Sequence, residues 1–147
     1  MLFPKKVKHR KWQTGRKNAK KLATRVESRA AKISFGSFGL KAQSAARMTS
    51  NQIEAARKAC SRTLGKTGRI WIRVFPDRPV TQKGAETPMG KGKGDPKGFC
   101  FEVLPGRMIF EVDGAASEAV AREALRKAGT KLPITTKVLA RTEFEAE

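Results

Sequence analysis

The sequence predicts an α+β fold: a largely antiparallel sheet with two helices packed on it, a basic N-terminal arm and a long Gly/Lys-rich loop. Two segments show helical apolar periodicity, several short runs alternate as strands do, and a Pro- and Gly-rich stretch interrupts them. Because helices and strands do not alternate regularly, the order favours α+β over a parallel sheet. We expect an arm at 1–32, one domain at 33–141 with a protruding loop at 76–98, and an acidic tail at 142–147.

The arm is strongly basic and poor in large apolar side chains. It holds twelve Lys and Arg against one acid, Glu27. Such a segment buries too little surface to offset its ordering entropy, so we expect it to become ordered on a partner. Trp12 lies among these cations. We expect it either to pack on the domain, the commoner fate of a lone Trp, or to stack on a base.

The first helix is predicted to begin after residue 49. A run at 33–40, interrupted by glycines, predicts a strand before it. Thr49 and Gln52 have the spacing of a capping box. Apolar residues then recur on one helical face: Ile53, Ala56, Cys60 and Leu64.

Charged residues lie outside this apolar stripe. Glu54 has the spacing to pair with Lys58 at i,i+4. Arg57 and Arg62 have no acid at that spacing on the helix. These arginines form a basic ridge, which is either an RNA contact or a solvated face.

Residues 69–75 are the clearest strand. Apolar side chains fall on both of its faces, so we expect it to lie centrally in a sheet. The preceding Gly65-Lys66-Thr67 invites a phosphate-loop interpretation, which fails because position 60 is Cys and because a helix precedes it. Gly65 and Gly68 are better explained as helix-stop and turn residues.

Two strand-like runs, at 99–104 and 107–112, flank Pro105-Gly106 and predict a hairpin. Since Pro-Gly favours a type II turn, its loop is expected to exceed two residues. A second helix at 115–128 and a last strand at 134–139 follow. Two i,i+4 pairs are expected on this helix, Glu118 with Arg122 and Glu123 with Lys127, and Gly129 is expected to end it.

The charge balance indicates the kind of partner. The 147 residues include 32 Lys and Arg against 13 Asp and Glu, a formal net charge of +19. In a free protein these positive charges repel one another. On a polyanion they displace condensed counterions, and this release favours binding, so nucleic acid is the expected partner. No apolar run approaches the ~20 residues of a spanning helix and no signal-peptide pattern begins the chain. We expect no membrane contact and a cytoplasmic location.

The loop at 76–98 is the main candidate binding element. Its centre, residues 90–94, alternates Gly with Lys91 and Lys93. Glycine exposes backbone N–H groups and permits close approach, and lysine adds a compact charge suited to phosphate. A loop of this length is either a flexible connection or meets a partner.

Catalytic and metal-binding groups are sparse. His9 is the one histidine, and no second group of a catalytic pair accompanies it. Cys60 and Cys100 lack any CxxC pairing, so we expect both to be free and buried rather than part of a zinc site or disulfide. We expect no enzyme activity, no metal and no cofactor.

Seven segments resemble bacterial large-subunit ribosomal protein sixteen, occur in that family's order and cover nearly the whole chain. They are 1–5 (MLFPK), 36–40 (GSFGL), 52–57 (QIEAAR), 71–77 (WIRVFPD), 89–94 (MGKGKG), 121–124 (AREA) and 131–134 (KLPI). The resemblance implies an α+β sandwich bound to 23S rRNA near the base of the central protuberance. It also implies a glycine-lysine loop near the peptidyl-transferase region and a basic arm between rRNA helices.

Carried onto this sequence, the resemblance implies two sets of site residues. The RNA-contacting set is Lys5, Lys6, Lys8, Arg10, Lys11, Arg16, Lys17, Arg57, Arg73, Arg78 and Lys83. The tRNA-proximal tip is Met89, Gly90, Lys91, Gly92, Lys93 and Gly94. Within the first set, Arg57 and Arg73 are expected either on the contact surface or in internal ion pairs.

The chain departs from the family pattern at two places. Pro88 stands where the family often has Arg, which removes a cation and a backbone donor. Gly98-Phe99 stands where the family tends to have an aromatic pair. Contacts that depend on those residues are not expected here.

The expected function is that of a structural constituent of the large ribosomal subunit. The implied partners are 23S rRNA, tRNA in the aminoacyl or peptidyl site, and other large-subunit components, with the protein monomeric within the ribosome.

Two rival functions predict different behaviour. A free-standing nucleic-acid chaperone or DNA-binding protein would bind duplex DNA as well as rRNA and would not sediment with subunits. An enzyme using 65–68 and 90–94 on a nucleotide would show saturable nucleotide binding at high salt.

Overall fold

The computed structural model describes residues 2–14 and 24–142. Within these ranges the strands are β1 (Phe38–Ala42), β2 (Ala46–Thr49), β3 (Arg69–Ile72), β4 (Arg78–Gln82), β5 (Asp95–Val103), β6 (Met108–Asp113) and β7 (Thr136–Ala140). The helices are α1 (Ser50–Leu64) and α2 (Glu118–Gly129). Arg16, Lys17 and the acidic tail from 143 onward lie outside the described residues.

The strands form two antiparallel sheets. A four-stranded sheet has the order β3-β6-β1-β7, and a three-stranded sheet has the order β2-β5-β4. Every strand pair is antiparallel. The predicted α+β class is therefore confirmed, with the sheet divided in two.

The core lies where the two helices meet the four-stranded sheet. The helices pack on each other, α1 contacts β3, and α2 contacts β1, β6 and β7. Fully buried side chains from both layers fill this space: Leu40, Ile53, Phe110, Val112 and Leu125. In the part of the chain that the structure describes, neither helix has the length and apolarity needed to cross a membrane.

Helix α1 forms as its sequence predicts. The backbone N–H of Thr49 donates to Gln52 Oε1 at 2.9 Å, which closes the reciprocal capping box. The predicted apolar stripe is buried along its whole length. Arg57 has no acid at i,i+4, as the sequence indicates, but it is not unpaired: Glu54 lies one turn away at i,i+3 and accepts a hydrogen bond from Arg57 Nη2 at 2.6 Å.

Helix α2 begins three residues later than predicted. The Ser117 side chain accepts a hydrogen bond from the backbone N–H of Val120 at 3.4 Å and caps the first turn. Both predicted charge pairs are confirmed, with 2.7 Å between Glu118 and Arg122 and 2.9 Å between Glu123 and Lys127.

The hairpin predicted around Pro105-Gly106 is wrong. Strand β5 pairs with β2 and β4, whereas β6 pairs with β1 and β3, so the turn carries the chain from one sheet to the other. Gly106 has φ 94°, and its N–H donates to the Ala42 carbonyl at 2.8 Å. A Pro-Gly turn does not match the twist of two paired strands, which is the physical reason for the divergence.

The central position predicted for 69–75 is also wrong, because β3 is an edge strand paired with β6. Its outer face is covered by the segment at 33–36, where Phe35 stacks on Trp71 with 6.3 Å between ring centroids. That segment was predicted to begin a strand, but β1 starts at Phe38. An edge strand with a covered outer face has the same two-sided apolar pattern as a central strand.

The predicted loop at 76–98 contains paired strand residues on both sides of an irregular tip, and so forms the end of a β-hairpin. Strands β4 and β5 pair from Arg78 opposite Cys100 to Gln82 opposite Asp95, with a register shift after Val80. The irregular tip is restricted to 83–94. These strands were not predicted because the segment is rich in Pro and Gly. Pro79 is tolerated in β4 because β4 is an edge strand.

Candidate nucleic-acid interface

The tip of the β4–β5 hairpin has a left-handed backbone at three successive residues. Gly90, Lys91 and Gly92 have φ of 96°, 52° and 103°. The glycines adopt this conformation without steric cost, and together they turn the chain tightly around Lys91. Met89 beside this turn is 97 % exposed. The apex of the tip therefore presents its glycine backbone, the exposed Lys91 and the exposed Met89 thioether.

Lys83 supports the tip from within. Its Nζ donates to the carbonyl of Gly90 and lies 3.5 Å from the carbonyl of Pro88. The cation that was predicted to contact RNA thus binds the tip's own backbone.

Four residues connect the arm to the base of the tip, and we call them the clasp: Lys11, Trp12, Lys93 and Asp95. Lys11 Nζ donates to the Lys93 carbonyl at 3.1 Å and lies 3.5 Å from Asp95 Oδ1. In return, Lys93 Nζ donates to the Trp12 carbonyl. The arm and the hairpin are therefore joined in both directions.

Trp12 contacts the domain through Arg78, whose guanidinium lies 5.8 Å from the centre of its ring. Arg78 is 8 % exposed and forms an ion pair with Glu102. Packing on the domain was the first of the two predicted fates of Trp12, and the residue is still 42 % exposed.

The start of the arm is attached to the domain as well. The backbone N–H of Leu2 donates to Ser50 Oγ at 3.1 Å. Phe3 packs on Phe99 with 6.1 Å between ring centroids. Between these attachments and the clasp lie four exposed cations: Lys5, Lys6, Lys8 and Arg10.

The predicted RNA-contacting arginines of the domain have acidic partners. Arg57 pairs with Glu54, Arg73 with Glu111 and Arg78 with Glu102. The hydrogen bond from Arg57 holds the pKa of Glu54 below its ordinary value and raises the pKa of Arg57. Arg57 and Arg73 were expected either on the contact surface or in internal ion pairs, and the structure shows them in ion pairs.

Glu111 is a structural centre that sequence reasoning missed. Its carboxylate is fully buried, and Oε2 accepts from the backbone N–H groups of Ser34 (3.1 Å), Phe35 (2.6 Å) and Gly36 (3.0 Å). The other oxygen accepts from Arg73 Nη1. The one available signal was an acid in the middle of an apolar strand, since such residues are rarely buried without partners.

Both cysteines are free and buried, as predicted. Burial raises the pKa of Cys60 to about 11 and also raises the pKa of Cys100. A thiol in this environment is a packing group rather than a nucleophile or metal ligand.

The chain combines a two-sheet α+β fold with a net charge of +19, a basic arm and an exposed lysine at the tip of a hairpin. These features define a nucleic-acid-binding class of protein. Residues 4–139 match the family described as ribosomal protein L16p/L10e, and the chain belongs to this family. It is 48 % identical over 145 residues to the large ribosomal subunit protein uL16 of Azobacteroides pseudotrichonymphae genomovar. CFP2, an alignment that covers 99 % of this chain and 96 % of that protein.

Family membership confirms the resemblance found in the sequence. The protein is a ribosomal protein of the large subunit and functions in translation in the cytoplasm.

Proposed function

We propose that this protein is a structural constituent of the large ribosomal subunit that binds 23S rRNA and contacts tRNA in the aminoacyl site, or in the neighbouring peptidyl site. The observation that carries the tRNA contact is the exposed Lys91 at the apex of a tightly turned tip. Phosphate is the ligand that a compact ammonium beside open backbone N–H groups fits best.

The arm is the main proposed rRNA contact. Its exposed cations lie in sequence between two attachments to the domain, so both ends of this cationic segment are fixed when it contacts RNA. Neutralising phosphates there releases condensed counterions, and the binding reads RNA shape more than sequence. The proposed arm contacts are Lys5, Lys6, Lys8, Arg10, Lys11, Arg16 and Lys17.

The cations that already have partners within the protein have a second proposed role, since these contacts do not use all their donors. Arg57, for example, binds Glu54 through Nε and Nη2, which leaves N–H groups on Nη1 and Nη2 for a phosphate. We assign Arg73, Arg78 and Lys83 the same mixed role, in which each supports the fold and borders the RNA.

The hairpin tip is the proposed tRNA-facing element, comprising Met89, Gly90, Lys91, Gly92, Lys93 and Gly94. Within it, Lys91 is assigned the phosphate contact, because Lys93 is already engaged in the clasp. Pro88 offers no backbone N–H, so the contact depends on residues after it.

Replacing Lys91 with Ala tests this assignment. Lys127→Ala is the matched control, because Lys127 is an exposed lysine on α2 whose ammonium pairs with Glu123. In reconstituted subunits, we expect Lys91→Ala to weaken aminoacyl-site tRNA binding by about tenfold, the equivalent of one charge-assisted hydrogen bond at ~1.4 kcal/mol. Both variants should keep the melting temperature of the parent. Equal tRNA affinity for the two variants would reject the contact.

A further inference from the structure

An exposed aromatic side chain, Phe35, lies on the outer face of the four-stranded sheet. Phe35 is 56 % exposed, and its ring is nearly parallel to that of Trp71, at 18° and 6.3 Å between centroids. The Arg73 guanidinium lies 4.8 Å from the centre of the same ring. Phe35 thus rests on an aromatic ring and a cation while more than half of its surface meets solvent.

The backbone that carries Phe35 is held in place from both sides. The buried Glu111 carboxylate accepts three successive N–H groups, with the shortest hydrogen bond, at 2.6 Å, coming from Phe35 itself. Gly36 packs so closely on β6 that a Cβ would lie 2.6 Å from the Val112 carbonyl oxygen. Ile33 is buried with Met108 and Leu139. A buried charge is expensive unless fully hydrogen-bonded, and here it fixes the position of a ring that faces solvent.

Cations border this ring. Lys32 is exposed and lies three residues before Phe35 in sequence. Arg69 is also exposed and shares the outer face of β3 with Trp71. The Asp113 carboxylate opposite Arg69 accepts a hydrogen bond from Ser37 Oγ at 2.8 Å, and Glu111 is fully buried. Asp113 still reaches solvent beside Arg69, so the ring is flanked by two exposed cations, Lys32 and Arg69, and one partly exposed anion.

We propose that Phe35 is a stacking platform for an unstacked base of rRNA, with Lys32 and Arg69 at the flanking phosphates. This inference rests on the proposed rRNA binding and adds a contact of a different chemistry. A rigid aromatic face bordered by cations suits a splayed nucleotide, whose base has a π face and whose backbone is anionic. RNA is favoured over a protein neighbour because the flanking cations have the sign that phosphate requires.

Two substitutions separate base stacking from simple apolar packing. Phe35→Leu keeps an apolar side chain over Trp71 but removes the π face, whereas Phe35→Tyr keeps the ring. We expect Phe35→Leu to weaken binding to deproteinised 23S rRNA by about fivefold or more, in line with the loss of one stacked base. Phe35→Tyr should bind within about twofold of the parent.

The salt dependence gives a second readout in the same filter-binding experiment. Because stacking releases few counterions, Phe35→Leu should lower affinity at every KCl concentration and leave the slope of log K against log salt unchanged. Parent-like affinity of Phe35→Leu, or equal losses in the Leu and Tyr variants, would overturn the platform. So would a loss that occurs only in assembled subunits and not on isolated rRNA, which would indicate a protein neighbour.

Ultraviolet cross-linking of the unmodified protein to 23S rRNA tests the contact without a substitution. Trypsin cleaves after Lys32 and Lys41 and releases peptide 33–41, and we expect a nucleotide adduct on it at Phe35. Adducts on other peptides but not on 33–41 would reject the platform and leave the proposed rRNA binding intact. Failure of the parent protein to bind 23S rRNA at all would instead reject the proposed function.

Discussion

Glu111 organises the outer side of the four-stranded sheet through both of its carboxylate oxygens. One oxygen binds three backbone N–H groups and the other binds Arg73. Replacing it with Gln leaves Arg73 without its counter-charge at a site where the arginine side chain is 15 % exposed. We expect Glu111→Gln to lower the free energy of unfolding by about 3 kcal/mol in urea denaturation.

Glu118→Gln is the matched control for that experiment. Glu118 also pairs with an arginine, but its side chain is 61 % exposed, so the loss should stay below about 1 kcal/mol. Similar losses in the two variants would show that the Glu111 network contributes no more than a surface ion pair.

The cysteines provide a second test at the scale of single residues. Because burial raises the pKa of Cys60 to about 11, only about one thiol in a thousand is ionised at pH 8. We expect a disulfide reagent such as DTNB to label neither cysteine rapidly in the folded protein at pH 8, and both within seconds in guanidinium chloride. Rapid labelling of the folded protein would contradict the burial of the thiols.

Sequence reasoning was least informative about individual charged residues. It identified the cations, but which of them face solvent depends on acids that are distant in sequence, such as Glu102 for Arg78 and Glu111 for Arg73. The pairing of Arg57 was within reach, since Glu54 lies at the i,i+3 spacing.

At the scale of secondary structure, the clasp links the position of the arm to that of the hairpin. Lys11→Ala removes one hydrogen bond to Lys93 and the ion pair with Asp95. Because such exposed contacts are worth up to ~1 kcal/mol, amide hydrogen exchange at 83–94 should accelerate by about two- to fivefold without a change in melting temperature. Lys8→Ala, which removes an exposed arm cation outside the clasp, should leave that exchange unchanged.

Unchanged exchange at the tip in Lys11→Ala would show that the arm and the hairpin move independently. In that case the arm could still make its proposed RNA contacts, but it would not help to position the tip.

The elements differ in how well local sequence predicted them. The helices depend on capping residues and apolar spacing within one segment, so both were found. Strand partners depend on distant segments, so the divergence of β5 and β6 at Pro105-Gly106 and the edge position of β3 were missed. Strand β2 was not predicted, because its four residues, ARMT, carry no clear alternation.

At the scale of the whole molecule, charge is the property that sequence alone established. The net charge of +19 indicated a polyanion before any fold was known. The family match at 4–139 then identified the chain as a large-subunit ribosomal protein. The proposed platform at Phe35 was not accessible from sequence, because it depends on Trp71 stacking on the ring and on Glu111 accepting the backbone N–H of Phe35.

The proposed arm contacts predict a specific loss of salt dependence. Replacing Lys5, Lys6, Lys8 and Arg10 with Ala should lower the slope of log K against log salt for 23S rRNA by up to about 3.6, at roughly 0.7 to 0.9 per phosphate contact. A control with the same charge change replaces four exposed cations elsewhere: Arg126, Lys127, Lys131 and Lys137. An equal change in slope for both variants would mean that binding depends on net charge rather than on the arm.

Stable incorporation into the large subunit can be measured by sucrose-gradient sedimentation of cell lysate at moderate and high salt, with the protein followed by immunoblot. We expect co-migration with large subunits and intact ribosomes that persists at high salt, because the arm and the folded domain are proposed to bind rRNA together. Migration of the protein at the top of the gradient would reject the proposed role as a structural constituent of the subunit and favour a free-standing nucleic-acid-binding protein.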